Sequence, residues 1–189
     1  MLPDPGDREP APGQLRIVQA FVNTVDIENG VEELTDGASL RDALVRIGVL
    51  PRTAAPLPST ELEGALEFRE ALRRLLLVNS GEETDPAALA VLERASHAAR
   101  LSIRFERDGK PTLLPRAGGL DGAIGRILAV VYTAMADGSW ARLKACPRDV
   151  CGWIFYDRSR NLSSRWCSMS VCGNRTKIRR YRGKAAAHA

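Results

Sequence analysis

Four cysteines stand in the last quarter of the chain, Cys146 and Cys151 in C-P-R-D-V-C and Cys167 and Cys172 in C-S-M-S-V-C. Four residues separate the members of each pair, and fifteen residues separate the pairs. Two thiolate pairs flanking a hairpin-sized spacer meet the needs of a tetrahedral Zn2+ site. Each pair offers two ligands from one side, and the spacer turns back to close the tetrahedron. With all four positions filled by protein, the expected site is structural and leaves no place for a catalytic water. The competing reading is a pair of disulfides in a secreted protein. Neither pair has the C-x-x-C spacing of a thiol-disulfide motif.

Charge divides the chain near the same place. From Trp140 onward there are 12 Lys and Arg against 2 Asp and Glu, whereas residues 1–139 carry 15 against 21. That asymmetry predicts two units with different partners, the C-terminal one facing an anion. Met1 to Gly13 is rich in proline and acidic residues and contains no apolar segment of the secretory type. No apolar run approaches the length of a membrane span. These features predict a cytoplasmic protein, where clustered cysteines usually mean metal or redox chemistry.

Met1 to Gly13 reads as a disordered tail. Gln14 to Asn29 reads as a helix with Ile17, Val18, Phe21, Val22 and Val25 on one face, stopped by Gly30. Asn23, Thr24 and Asp26 interrupt that face with polar groups. Ser39-Leu40-Arg41-Asp42 resembles a capping box that opens a short helix through Leu44 and Ile47 to Gly48. After the prolines at 51, 56 and 58, Ser59 or Thr60 caps a long helix that runs to about Asn79-Ser80-Gly81. Its apolar positions are Leu62, Leu66, Leu72, Leu75 and Leu76. Asp85-Pro86 starts another, ending near Arg100, with Leu89, Leu92 and Ala95 inward. Leu101 to Glu106 alternates strictly and predicts a half-buried strand, with Asp108-Gly109 turning it into Thr112 to Leu114. Asp121 to Ala136 closes the large unit with Ile124, Ile127, Leu128, Val131 and Met135 on one face, and Asp137-Gly138-Ser139 reads as a hinge. The N-terminal unit, residues 14–138, is thus mainly α with one small β-hairpin, an α+β arrangement.

The C-terminal unit, residues 139–184, is too small to bury a sufficient core of its own. A metal held by four thiolates can contribute about 10 kcal/mol to folding. Trp153 to Tyr156 reads as a short aromatic strand, Asp157 to Asn161 as a turn, and Trp153, Phe155 and Trp166 as the core above the metal. Stacking of these rings on single-stranded bases is the alternative. Beyond Cys172, residues Asn174 to Gly183 have helical potential, with Arg175, Arg179 and Arg182 on one face and Ile178 and Tyr181 able to turn back. A basic helix braced by a zinc site is a geometry that enters the DNA major groove. A solvated cationic tail is the bland alternative, but Arg158, Arg160 and Arg165 repeat the positive charge close by. Residues 185–189 read as a second disordered tail.

The run C-G-N-R at Cys172 to Arg175, with C-G-W-I-F-Y-D-R-S-R-N at Cys151 to Asn161 and R-W-C-S-M at Arg165 to Met169, resembles the CGNR zinc finger family of bacterial stress-induced transcription regulators. The resemblance implies that Cys146, Cys151, Cys167 and Cys172 hold one structural zinc ion and that the finger binds duplex DNA. Asn174, Lys177 and Arg180 join Arg158, Arg160, Arg165, Arg175, Arg179 and Arg182 as expected DNA contacts. Phe21-Val22-Asn23-Thr24-Val25-Asp26 is similar to the F-x-N-T-x-D signature of the helical ABATE domain that precedes such fingers. That domain is proposed to sense a small ligand, which points to Asn23, Thr24 and Asp26 as pocket residues or, equally, as caps for neighbouring loops. Members often carry a tryptophan in the second helix region, and Ser39 to Gly48 has none.

An enzyme is not expected. His97 and His188 are the only histidines, and neither a nucleophile elbow nor a Gly-rich phosphate loop is present. The expected function is transcriptional regulation, with the N-terminal domain sensing an effector or forming a homodimer. The alternative is a zinc-knuckle adaptor for RNA or a protein partner.

Overall fold

A computed structural model describes residues 8–176. Lys177, Arg179, Arg180 and Arg182, the far part of the expected basic helix, the 185–189 tail and residues 1–7 lie outside the described residues.

The chain order is helix α1 (Leu15–Val22), hairpin β1–β2 (Val25–Asp26 and Val31–Glu32), α2 (Gly37–Arg46), α3 (Leu62–Val78), α4 (Pro86–Ala98), hairpin β3–β4 (Leu101–Phe105 and Pro111–Pro115) and α5 (Gly119–Ala136). The C-terminal unit adds hairpin β5–β6 (Leu143–Ala145 and Ile154–Tyr156) and a π-helical turn at Met169–Gly173. The three sheets among the described residues are two-stranded and antiparallel. The architecture is mainly helical with small hairpins, as the periodicity predicts, but the N-terminal unit has a second hairpin that the pattern concealed.

That hairpin replaces the second half of the first expected helix. α1 ends at Val22 because the next two side chains serve other partners. Thr24 Oγ1 donates to Phe21 O at 2.8 Å, and the Asn23 amide turns toward a strand of the C-terminal unit. Val25 and Asp26 then pair with Glu32 and Val31. α2 starts three residues earlier than expected. Asp36 is the N-cap, accepting from Ser39 N at 2.7 Å while Ser39 Oγ accepts from Asp36 N, so Ser39 is the reciprocal partner and not the cap. The long helix α3 enters through a 3-10 turn at Ser59–Glu61 with no side-chain cap. Asp85 caps α4 as expected, accepting from Ala87 N and Ala88 N. Leu89, however, faces outward and Ala88 inward.

The core lies between α1, α2, α3 and α5, with Val18, Phe21, Leu40, Leu44, Phe68, Leu72, Leu76 and Ile127 fully buried. The rings of Phe21 and Phe68 meet at 5.8 Å in a tilted pair. α5 is 18 residues long with a mean hydropathy of 1.3, long and apolar enough to cross a bilayer on composition alone. Half of it is buried against the rest of the molecule, with Ile124, Ile127 and Val131 inside and Met135 outside. Gly125 is where α5 meets β4, since a Cβ there would stand 2.6 Å from Pro115 Cβ and 2.8 Å from Ala99 Cβ. The β3–β4 tip projects beyond this contact. Ile103 and Phe105, expected to be half-buried, are therefore 62% and 71% exposed.

The expected hinge is a tight turn. Gly138 takes a left-handed φ of 79°, and Asp137 Oδ1 accepts from Ser139 N at 2.8 Å. Trp140 is buried directly after it, and Leu143, Ala145 and Ile154 belong to the main core. β5 packs on α3. The C-terminal unit is thus rooted in the N-terminal one by its hairpin. It shares a core because it has too little apolar surface to hold itself apart.

Candidate metal centre and the cationic face around it

The second small core comprises the four cysteines with Trp153 and Phe155, and Trp166 and Val171 pack on its edge. All four cysteines are buried and free. Their sulfurs lie within 4.8 Å of one another, with Cys151 to Cys167 at 3.6 Å and Cys167 to Cys172 at 3.5 Å. A disulfide would need about 2.05 Å. Thiolates at bonds of about 2.3 Å around a tetrahedral ion stand about 3.8 Å apart, which the set approaches closely. The electrostatics also call for a cation. Cys146 accepts from the Cys151 and Cys167 thiols and is held far below the usual thiol range. Hydrogen bonding to Cys146 pushes Cys151 and Cys167 well above it. Four thiolates in this volume need a positive centre to ionise together, and metal binding releases their protons. The donor set fits a thiophilic tetrahedral ion with no open position.

Local backbone chemistry builds both knuckles. In the first, Cys151 N and Gly152 N donate to Arg148 O, and Cys146 N donates to Trp153 O, extending the β5–β6 ladder. Gly152 has a left-handed φ of 58°, and a Cβ there would meet Ile27 Cδ1 at 3.0 Å and Arg73 Cδ at 3.2 Å. The left-handed conformation favours glycine, and the packing around it is tight. In the second, Ser168 Oγ accepts from Val171 N and Ser168 O from Gly173 N, wrapping the π-helical turn around Cys172. A helix begins at Asn174, where Thr176 Oγ1 donates back to Cys172 O.

Asp157 anchors the loop between the knuckles. It is fully buried, pairs with Lys144 Nζ at 2.8 Å, and accepts from Ser159 N and Ser164 N. Burial alone would raise its carboxyl, but the Lys144 ammonium and the serine donors outweigh burial and hold it below the ordinary range. Lys144 also donates to Leu162 O and Ser164 O, so both buried charges are satisfied.

The residues expected to line a ligand pocket have other work. Asn23 Nδ2 donates to Ile154 O at 2.9 Å and its Oδ1 accepts from Ile154 N at 2.8 Å, so one amide pairs with both backbone groups of β6. Thr24 receives Arg69 Nη1 at 3.2 Å, and Asp26 caps the β1–β2 turn by accepting from Asn29. Asn23 and Thr24 are both buried; Asn23 sits at the seam between the two units, whereas Thr24 bonds within the N-terminal one. Arg69 forks onto Glu32 at 2.7 Å twice. Arg73, one turn on, bonds Val22 O, Gly152 O and Glu70. The expected disordered tail is likewise occupied from Arg8 on. Arg8 stacks over Phe155 at 4.7 Å and donates to Trp166 O at 2.9 Å, Glu9 pairs with Arg158, and Ala11 N bonds Gln19. The metal-side core gives this polar segment partners that its composition could not reveal.

Of the expected DNA contacts, Arg158, Arg160, Arg165, Asn174 and Arg175 are exposed around the cysteine core. Arg158 is engaged by Glu9, Pro10 O and the Tyr156 ring, and Arg175 by Glu28. Arg160 and Arg165 make no ion pair with another described residue. Sequence reasoning missed Arg148, whose guanidinium bonds Glu28 at 2.9 Å and lies 3.9 Å from Cys172 Sγ. Its position inside the first knuckle was the available signal. Glu28 had none, because its partners are more than a hundred residues away.

Two family models match the chain in succession. ABATE, described as "Putative stress-induced transcription regulator", matches residues 15–138, and the CGNR zinc finger matches residues 142–185. A search of curated proteins gave no match. The chain belongs to the ABATE family and carries a C-terminal CGNR zinc finger.

Proposed function

We propose that the protein is a DNA-binding transcription regulator and not an enzyme. One zinc ion on Cys146, Cys151, Cys167 and Cys172 braces the finger, and the surrounding cations grip duplex DNA. The observation that carries this reading is the exposure of Arg160, Arg165 and Arg175 around a buried four-cysteine core. The basic residues Lys177, Arg179, Arg180 and Arg182 follow directly in sequence. The ion supplies rigidity, and the arginines supply the contacts. The N-terminal domain would bias this grip by holding a small effector or by dimerising. A cleft of about 680 Å3 between the N-terminal segment, β4 and α5, lined in part by Pro12, Leu113, Arg126 and Tyr132, is the space that supports an effector. The exposed Ile103 and Phe105 of the β3–β4 tip support a dimer.

The test is fluorescence anisotropy of the zinc-loaded protein against labelled duplex DNA, single-stranded DNA and RNA over a salt series. The reading predicts a preference for duplex and a log-log salt slope of about −0.9 per phosphate neutralised. Arg165→Ala should weaken binding and lower the slope by about 1. A salt-independent affinity would refute the phosphate grip, and a preference for RNA or single strands would move the function to the adaptor reading.

A further inference from the structure

Glu28 lies in the turn of the β1–β2 hairpin, in the ABATE domain, yet its carboxylate bonds two arginines of the finger. It accepts from Arg148 Nη1 at 2.9 Å in the first knuckle and from Arg175 just past the second. These two guanidiniums, with Arg165 and Trp166, line a cleft of about 650 Å3 beside the metal centre. Glu82 and Asp149 line the same cleft. Three arginines and two carboxylates line it, and Glu28 adds a third carboxylate bonded to two of those arginines. Both guanidiniums bond one carboxylate oxygen of Glu28, the place a phosphodiester oxygen can take, since arginine pairs with either anion.

We infer that Glu28 is an intramolecular phosphate mimic that restrains the finger until nucleic acid displaces it. The inference rests on the DNA-binding reading and adds a regulatory contact to it. A DNA phosphate that takes the position between Arg148 and Arg175 expels the Glu28 carboxylate and frees the β1–β2 turn from the finger. The reverse follows by linkage: whatever holds that turn against the finger opposes DNA binding. The turn connects to the rest of the domain through Glu32, which Arg69 of α3 grips, so a shift of α3 reaches the cleft through packed groups.

The experiment compares wild type, Glu28→Gln and Arg175→Ala, together with the double variant, by anisotropy on a labelled mixed-sequence duplex, with zinc content and thermal unfolding measured on each. Asp108→Asn, on the β3–β4 turn, controls for the loss of one negative charge. Glu28→Gln keeps the side chain's size and removes only the charge. It should bind roughly three- to tenfold tighter than wild type, the range expected when one or two partly exposed ion pairs no longer compete. Asp108→Asn should match wild type, and the gain should shrink in the Arg175→Ala background, where only the Arg148 pair is left to release. Equal or weaker binding by Glu28→Gln overturns the inference while leaving DNA binding by wild type untouched. A gain undiminished by Arg175→Ala overturns it too, because a merely loosened finger would show that. If neither wild type nor Glu28→Gln binds duplex, the DNA-binding reading fails with it.

Discussion

Replacing Asn23 by alanine separates a structural seam from a ligand pocket. The Asn23 amide makes two hydrogen bonds, to Ile154 O and from Ile154 N, in a site where the residue is 4% exposed. Ile154 O keeps a second donor, Gln19 Nε2 at 3.2 Å, so the carbonyl stays partnered after the substitution. Ile154 N loses its acceptor at a fully buried position of the strand. Two net hydrogen bonds at about 1 kcal/mol each, plus roughly 1 kcal/mol for an orphaned buried N–H, give a loss of about 2 to 4 kcal/mol. For a chain of this size that corresponds to a fall in Tm of about 4 to 16 °C. The assay is thermal and urea unfolding of the zinc-loaded protein without added ligand. If Asn23 served a ligand pocket, the ligand-free variant would be as stable as wild type or more so. An unchanged Tm would refute the seam.

Cys167→Ser should bind less than one zinc per chain after dialysis and lose the near-UV signal of Trp153 and Trp166; retention of full zinc and signal would contradict the four-thiolate site. Asp157→Asn leaves Lys144 buried without its counter-charge and should cost about 3 to 5 kcal/mol at neutral pH. Because the Asp157 carboxyl is held below its ordinary range, its contribution is fully present above the unfolded value near 3.9 and is lost only as pH falls further through the folded value. The deficit of the variant, read by urea unfolding, should therefore be constant from neutral pH to about 5 and narrow only in stronger acid. Arg8→Ala removes a cation–π contact and a hydrogen bond, should cost about 1 kcal/mol, and should speed proteolysis within the first dozen residues; an unaltered digestion rate would show the segment is not strapped down.

The cysteine spacing and the aromatic spacer were legible because ligand geometry is local. C-x4-C fixes each knuckle within six residues, and Trp153, Phe155 and Trp166 are the rings nearest to hand. α3, α4 and α5 were legible because their apolar period is long. What escaped was set by distant partners. Asn23 breaks an apolar face, and pattern alone does not distinguish a ligand contact from an amide spent on a strand 131 residues away. Val25 continues the helical period, yet the bonds at Asn23 and Thr24 end the helix first. Ile103 and Phe105 alternate as a half-buried strand should, but alternation shows that two faces differ, not that anything covers one of them. Arg8 and Glu9 look like solvated tail residues until Phe155 and Arg158 supply their partners.

The claim on which the account turns is that the metal-braced finger reads duplex DNA. Selection of bound molecules from a random duplex pool, run with zinc-loaded protein and again after chelation, tests it most directly. The account predicts a motif that is enriched with zinc and disappears without it. A pool that stays random under both conditions would contradict it.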